Sequence, residues 1–215
     1  MRITLAVIVS LLLISTPAAA EPMAPPFKSD GSTPARTLRK PPSVNLRLGS
    51  LLIQFERTTL HDIQRAVGSG QIAHRGDAGD STYWLCYEGK ANSNPVRLWL
   101  IAGEIDGPEH TISVIQLQDA LPGSALSADC PLLPPRLQPI NLGRAALLGF
   151  KSAAAVAKLG EPSSKATEAL TYFYLGKVPR TYEGKPAEFD RINFLELRLS
   201  AGKVVGIVAS QSTTY

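Results

Sequence analysis

Gly149-Phe150-Lys151-Ser152-Ala153-Ala154-Ala155-Val156-Ala157-Lys158-Leu159-Gly160-Glu161-Pro162 reads as one short helix with its own start and stop. Ser152 can cap the N-terminus, the alanine-rich run favours helix, and Gly160 in a left-handed slot with Pro162 just beyond ends it. So short a helix is marginal alone and must be held by packing. The residues that follow offer a sheet for it. Residues 170–175 form an aromatic strand around Tyr172-Phe173-Tyr174, and 178–190 are a long connection rich in Lys, Arg, Glu and Pro. Phe194, Leu195, Leu197 and Leu199 form the next strand, Ser200-Ala201-Gly202-Lys203 turns the chain, and 204–208 return as a β-branched strand.

The same order of signals occurs upstream, in residues 48–117. Leu48-Gly49 answers Leu142-Gly143, within an alternating run Leu46, Leu48, Leu51, Ile53, Phe55 that predicts one strand. Thr58 or Thr59 offers an N-cap. Leu60, Ile63, Ala66 and Val67 share a helical face, and Gly68-Ser69-Gly70 stops the helix. Residues 74–80 are a turn-rich loop, and Tyr83-Trp84-Leu85-Cys86-Tyr87 is an aromatic strand. In 96–101, Val96, Leu98 and Leu100 alternate with Arg97, Trp99 and Ile101, so both strand faces are expected to be covered. Ala102-Gly103 answers Ala201-Gly202, Asp106-Gly107-Pro108 turns, and 111–117 return. Repeated supersecondary units are an architectural signal. They predict an α+β fold of two tandem units, each a short helix packed on an antiparallel β-meander. Unit 1 spans 43–118, an inter-repeat linker 119–139, and unit 2 140–215.

Residues 1–20 have the layout of a secretory signal. Arg2 is the positive end, 5–14 the apolar core, and Ala18-Ala19-Ala20 the small-residue site for cleavage after Ala20. The apolar run is short for a membrane span, so the mature chain is expected to be periplasmic or secreted, with no transmembrane segment. In 21–42, Pro22, Pro25, Pro26, Pro34, Pro41 and Pro42 stand among Lys28, Arg36, Arg39 and Lys40. That composition predicts a disordered basic linker, with at most weak contact to an anionic lipid or wall surface. The net charge of +4 is a small excess without a dense patch, which argues against a nucleic-acid partner. The two cysteines, Cys86 and Cys130, predict one disulfide in an oxidising compartment. They lack the spacing of a redox pair or a metal site.

Catalytic signatures are sparse. His61, His74 and His110 form no His-x-x-x-His or His-Glu-x-x-His pattern, so no metal or other cofactor is expected. Gly68-Ser69-Gly70 lacks the lysine of a phosphate loop. Arg75-Gly76-Asp77 matches an adhesion tripeptide, but Gly and Asp here favour a turn. The chain is therefore expected not to be an enzyme, although scattered triad residues would leave no local trace. Binding residues concentrate on loops over rigid scaffolds, and Trp, Tyr and Arg dominate hot spots. On that ground His74, Arg75, Asp77, Tyr83, Trp84 and Trp99 are the candidate partner-binding set, with at least one tryptophan expected to pack in the sheet instead.

The second unit's Gly149-Phe150-Lys151-Ser152, Val156, Leu159-Gly160-Glu161-Pro162, aromatic strand and Ser-Ala-Gly-Lys-Val-Val turn resemble the repeat of small bacterial envelope proteins. These are the β-lactamase-inhibitory-protein-like fold and the small outer-membrane assembly lipoprotein that shares it. The first unit departs from that pattern. Its helix stops without the proline, its last hairpin carries the insertion 104–110, and no cysteine lies at the cleavage point for lipid attachment. The resemblance covers about two thirds of the mature chain and, since folds host unrelated functions, implies architecture first. It implies a tandem-repeat concave sheet that grips another protein. The expected function is an exported protein-binding module of inhibitor or immunity type. An envelope assembly or scaffold factor is the alternative, and a secreted hydrolase with an unrecognised site the second.

Overall fold

Short aromatic and β-branched runs recur along this chain, and they pair edge to edge. The computed structural model describes residues 23–27, 34–120 and 130–214. The expected signal segment and residues 121–129 of the inter-repeat linker lie outside the described residues. The elements are β1 (Leu46–Leu48), β2 (Leu51–Ile53), α1 (Leu60–Val67), β3 (Ala73–Arg75), β4 (Thr82–Ala91), β5 (Asn94–Gly103) and β6 (Val114–Asp119). They continue with β7 (Ile140–Asn141), α2 (Ser152–Leu159), β8 (Ser164–Lys165), β9 (Ala169–Tyr182), β10 (Lys185–Ser200) and β11 (Lys203–Thr214). No described helix is long and apolar enough to cross a membrane.

The strands form a three-stranded sheet, β2-β1-β7, and an eight-stranded sheet, β3-β4-β5-β6-β11-β10-β9-β8, with antiparallel pairing throughout. The large sheet closes in its middle, where Val114 to Gln118 of β6 pair with Ser210 to Gly206 of β11. From that seam each half runs outward through a last, a middle and a first long strand to a short edge strand.

This overturns the expectation of an α+β chain built from two separate helix-on-meander units. The described chain is mostly β, its two α-helices have eight residues each, and both meanders belong to one sheet. The physical reason lies at the seam. A return strand left at an edge exposes unpaired N–H and C=O groups, and β6 and β11 satisfy each other's. The helices are too small to set the architecture: α1 buries Leu60, Ile63 and Val67, while α2 fully buries only Ala155.

Three local expectations also change. The alternating run from Leu46 to Phe55 is a tight hairpin and not one strand, because Gly49 takes φ 56° and reverses the chain. The connection 178–190 is itself strand: β9 and β10 stay paired out to Tyr182 and Lys185, and Glu183-Gly184 turn with positive φ. Lys151, not Ser152, is the N-cap residue of α2, and its side chain makes no cap bond. The first helix starts as its sequence suggests. Thr59 Oγ1 accepts from the Asp62 N–H at 3.0 Å, Asp62 accepts from the Thr59 N–H at 3.1 Å, and Gly68 ends the helix in the left-handed region.

Strand alternation sorts the large sheet into two faces. Leu85, Tyr87, Leu98, Leu100, Ile115, Leu117, Leu195, Leu197, Ile207 and Ala209 belong to the main core, which they share with α1 and the small sheet. The opposite face carries the candidate site.

Candidate functional site

Register fixes what the second face presents. One row across the sheet runs Trp84, Ile101, Val114, Ser210, Phe194 and Phe173. The next runs Cys86, Trp99, Gln116, Val208, Glu196 and Thr171, and a third runs Glu88, Arg97, Gln118, Gly206 and Arg198. Directly opposed side chains on antiparallel strands are neighbours, so the first two rows form continuous ladders and the third is interrupted at Gly206. Glu88 and Arg97 make an ion pair at 2.8 Å, and Arg198 pairs with Glu196.

At the β4 end the disulfide Cys86–Cys130 closes, as the even cysteine count predicted, in a small buried cluster with Ala73, Trp84, Trp99 and Ile101. The chain after Cys130 lies along the β4 edge that short β3 leaves open. Glu88 donates its N–H to Pro131 O at 3.0 Å and accepts from the Leu133 N–H at 2.8 Å.

Part of the Pro-rich stretch lies across the ladders. The Met23 carbonyl accepts two indole N–H bonds, from Trp84 and Trp99, each 3.0 Å. The Gln116 side chain holds Phe27 by its main chain: its Oε1 accepts the Phe27 N–H at 3.1 Å, and its Nε2 donates to Phe27 O at 2.7 Å. Arg97 approaches the Met23 sulfur at 3.6 Å, and the Arg198 guanidinium lies 5.8 Å from the centre of the Phe27 ring. Further along, Leu38 donates its N–H to Phe173 O at 2.7 Å. Arg36 donates to the carbonyls of Pro162 and Glu161 at 3.1 and 2.7 Å.

Beside residues 23–27 an open cleft of about 910 Å³ remains. Its floor includes Trp84, Ile101 and Val114 at one end, and Phe173, Ile192 and Phe194 at the other. Arg75, Gly76, Asp80 and Thr82 form a polar rim. That rim is braced from behind: Asp106 accepts from the Gly103 N–H at 2.5 Å and from Ser113 Oγ at 2.6 Å, while Glu104 N–H bonds Ser81 O. Burial pushes the Asp106 carboxyl above its usual range despite those donors.

The structure divides the sequence-predicted binding residues between two places. Arg75 and Trp84 line the cleft, and Trp99 lies beneath the chain at Met23. Both tryptophans are buried, so both pack in the sheet. His74 and Tyr83 instead stack at 4.5 Å, and Tyr83 stacks on His110 at 3.9 Å, with His61 6.1 Å beyond. His110 Nδ1 is buried there without a hydrogen-bond partner. Asp77 is exposed and leads into the short turn at Ala78–Asp80, where its side chain makes no cap bond.

Sequence reasoning missed Met23, Phe27, Arg97, Gln116, Phe173, Ile192, Phe194 and Gly206. One signal was present: Arg97, Trp99 and Ile101 gave β5 a second large-side-chain face that something had to cover. Chemically, the site supplies paired donors to a carbonyl and a donor–acceptor pair to the N–H and C=O of one residue, with apolar floor on both sides. Comparison with protein-family models, with curated proteins and with solved structures returns no match for this chain.

Proposed function

We propose that this chain is an exported module that binds another protein through the open face of its eight-stranded sheet. The observation that carries the reading is the cleft: rigid strands hold Trp84, Ile101, Phe173, Ile192 and Phe194 around an accessible groove rimmed by Arg75 and Asp80. An apolar, partly aromatic centre with a charged rim is the anatomy of a recognition surface. The closed disulfide fits an oxidising compartment, where such bonds persist. The role is non-catalytic, of inhibitor or immunity type, with scaffolding at the envelope as the other form of the same binding.

The test is affinity capture from periplasm using the intact chain and an Arg75→Ala/Phe194→Ala variant that folds normally. One soluble partner, lost with the variant, supports inhibition. Capture of outer-membrane or wall complexes, also lost with the variant, supports scaffolding. A partner retained equally by the variant would remove the cleft from the binding reaction.

A further inference from the structure

Residues 23–27 sit on the sheet as a ligand does. Four of their hydrogen bonds join side chains of the sheet to main-chain atoms of the segment: two indoles donate to Met23 O, and the Gln116 amide accepts from the Phe27 N–H and donates to Phe27 O. Gln116 is only 4 % exposed with the segment in place. A buried amide with its partners removed would lose hydrogen bonds at both ends. The segment also crosses the strands instead of extending the sheet. Met23 sits at β4 and β5, and Phe27 at β6 and β11, two strand spacings or about 10 Å away. Four residue steps cover that span with a bend at Pro26, so the segment is anchored at each end.

The second anchor has a dedicated seat. A Cβ added at Gly206 would overlap the Phe27 ring, and the next atom it meets, Arg198 Cβ, is at ordinary contact distance, 3.4 Å. Gly206 does not have positive φ, so strand geometry does not require glycine there. What glycine provides is room for the ring, between the Gln116 amide and the Arg198 guanidinium. The carbonyl clamp, the amide clamp and the ring seat all read a short peptide with an apolar side chain at its start and an aromatic four residues on.

We infer that the sheet face is a peptide-binding groove, and that residues 23–27 are an internal ligand which a short segment of the partner, of Met-x-x-x-Phe character, displaces. The inference deepens the protein-binding reading and rests on it. A self-ligand lowers apparent affinity by the fraction of molecules in which the groove is open, so it sets a threshold that only a better-matched partner crosses.

The experiment uses the chain from residue 21 onward and a synthetic peptide of residues 21–27, Glu-Pro-Met-Ala-Pro-Pro-Phe. Both tryptophans of the chain donate to Met23 O, so intrinsic fluorescence reports the groove directly. Phe27→Ala should shift emission to the red as the indoles meet water, and added peptide should reverse the shift saturably. The unsubstituted chain should bind the same peptide at least tenfold more weakly. Gly206→Ala should show the red shift too, yet bind the peptide at least tenfold more weakly than Phe27→Ala, because its ring seat is filled. Circular dichroism confirms that each variant is folded. Should either unfold, excess peptide added to the unsubstituted chain must speed hydrogen exchange at the Phe27 amide. Peptide that binds no folded form, or that leaves Phe27 exchange unchanged, would show that residues 23–27 are a fixed structural strap and overturn the inference. That outcome is distinct from failure of the protein-binding reading, which the periplasmic capture decides separately.

Discussion

Replacing Cys86 and Cys130 together by alanine should lower the unfolding free energy by about 4 kcal/mol. The bridge spans a sequence separation of 44 residues, and a loop of that size loses about 13 cal/mol/K of unfolded-state entropy when closed. Both cysteines are almost fully buried, so the deleted sulfurs also leave a small gap beside Trp84 and Trp99. Working against the loss, residues 131–133 keep their two main-chain bonds to Glu88. For a chain of this size a kilocalorie moves the melting temperature by about 2–4 °C, so a drop of about 8–16 °C is expected. The assay is far-UV circular dichroism melting of oxidised protein beside the double variant, with tryptophan emission recorded before heating. Emission should move to the red in the variant, because the bridge is packed against both indoles. A drop of under about 3 °C would refute the reasoning: it would mean that the Glu88 pairing and the packing around Trp99 hold the 130–133 segment without covalent help.

Thr59→Ala should cost about 1 kcal/mol, since it removes the hydroxyl that caps α1, and urea unfolding will measure it. The Asp62 carboxyl on the other side of that cap is held below its ordinary range, by its bonds with Thr59 first and then by Arg65. Its contribution is therefore present above the ordinary carboxylate pKa and lost as pH falls through the lowered native one. The stability gap between the native chain and Asp62→Asn should accordingly close on acidification through that window, as read from unfolding at stepped pH. Gly49→Ala should cost more than Gly68→Ala. Both have positive φ, but a Cβ at Gly49 runs into the Arg136 carbonyl whereas one at Gly68 meets open space; a loss of about 1 kcal/mol at Gly68 is the baseline in a thermal comparison. Arg75→Ala with Asp77→Ala should change folding stability by under about 0.5 kcal/mol, both side chains being exposed. Affinity for the captured partner should fall about tenfold, equivalent to about 1.4 kcal/mol, in a binding titration.

Legibility in the sequence follows the range of the interaction involved. The start and stop of α1 are written in residues that act within one turn, and sequence reading placed the start at Thr58 or Thr59 and the stop at Gly68. The aromatic core of β4 is equally local, and the disulfide needed only an even count of cysteines. The seam between β6 and β11 joins residues nearly a hundred positions apart through main-chain groups that every residue carries, so no side-chain pattern marks it. The arm formed by β9 and β10 was hidden for another reason. The sequence of 178–190, rich in proline and charge, read as a hairpin connection, and the structure holds Pro179 and Pro186 inside a two-stranded ribbon where Pro179 faces Glu188 and Pro186 faces Thr181. The groove was half legible: the large residues Trp99 and Ile101 showed that β5 had a second covered face, but a proline-rich stretch gave no hint that it would provide the cover. Gln116 was invisible because a glutamine in strand alternation has no signature until its partner, the main chain of Phe27, is in place.

The seam also decides how this protein behaves when crowded. By joining their last strands, the two halves use up the edges that would otherwise invite another chain, and the sheet ends in β3 and β8, only three and two residues long. Beyond Phe173, β9 has no strand on its outer side among the described residues. That stretch carries Lys177 and Arg180 on either side of Pro179, and proline offers no N–H to an incoming strand. Charge and proline on a long edge frustrate fibre growth by strand addition. Addition of a further strand at this edge is therefore disfavoured.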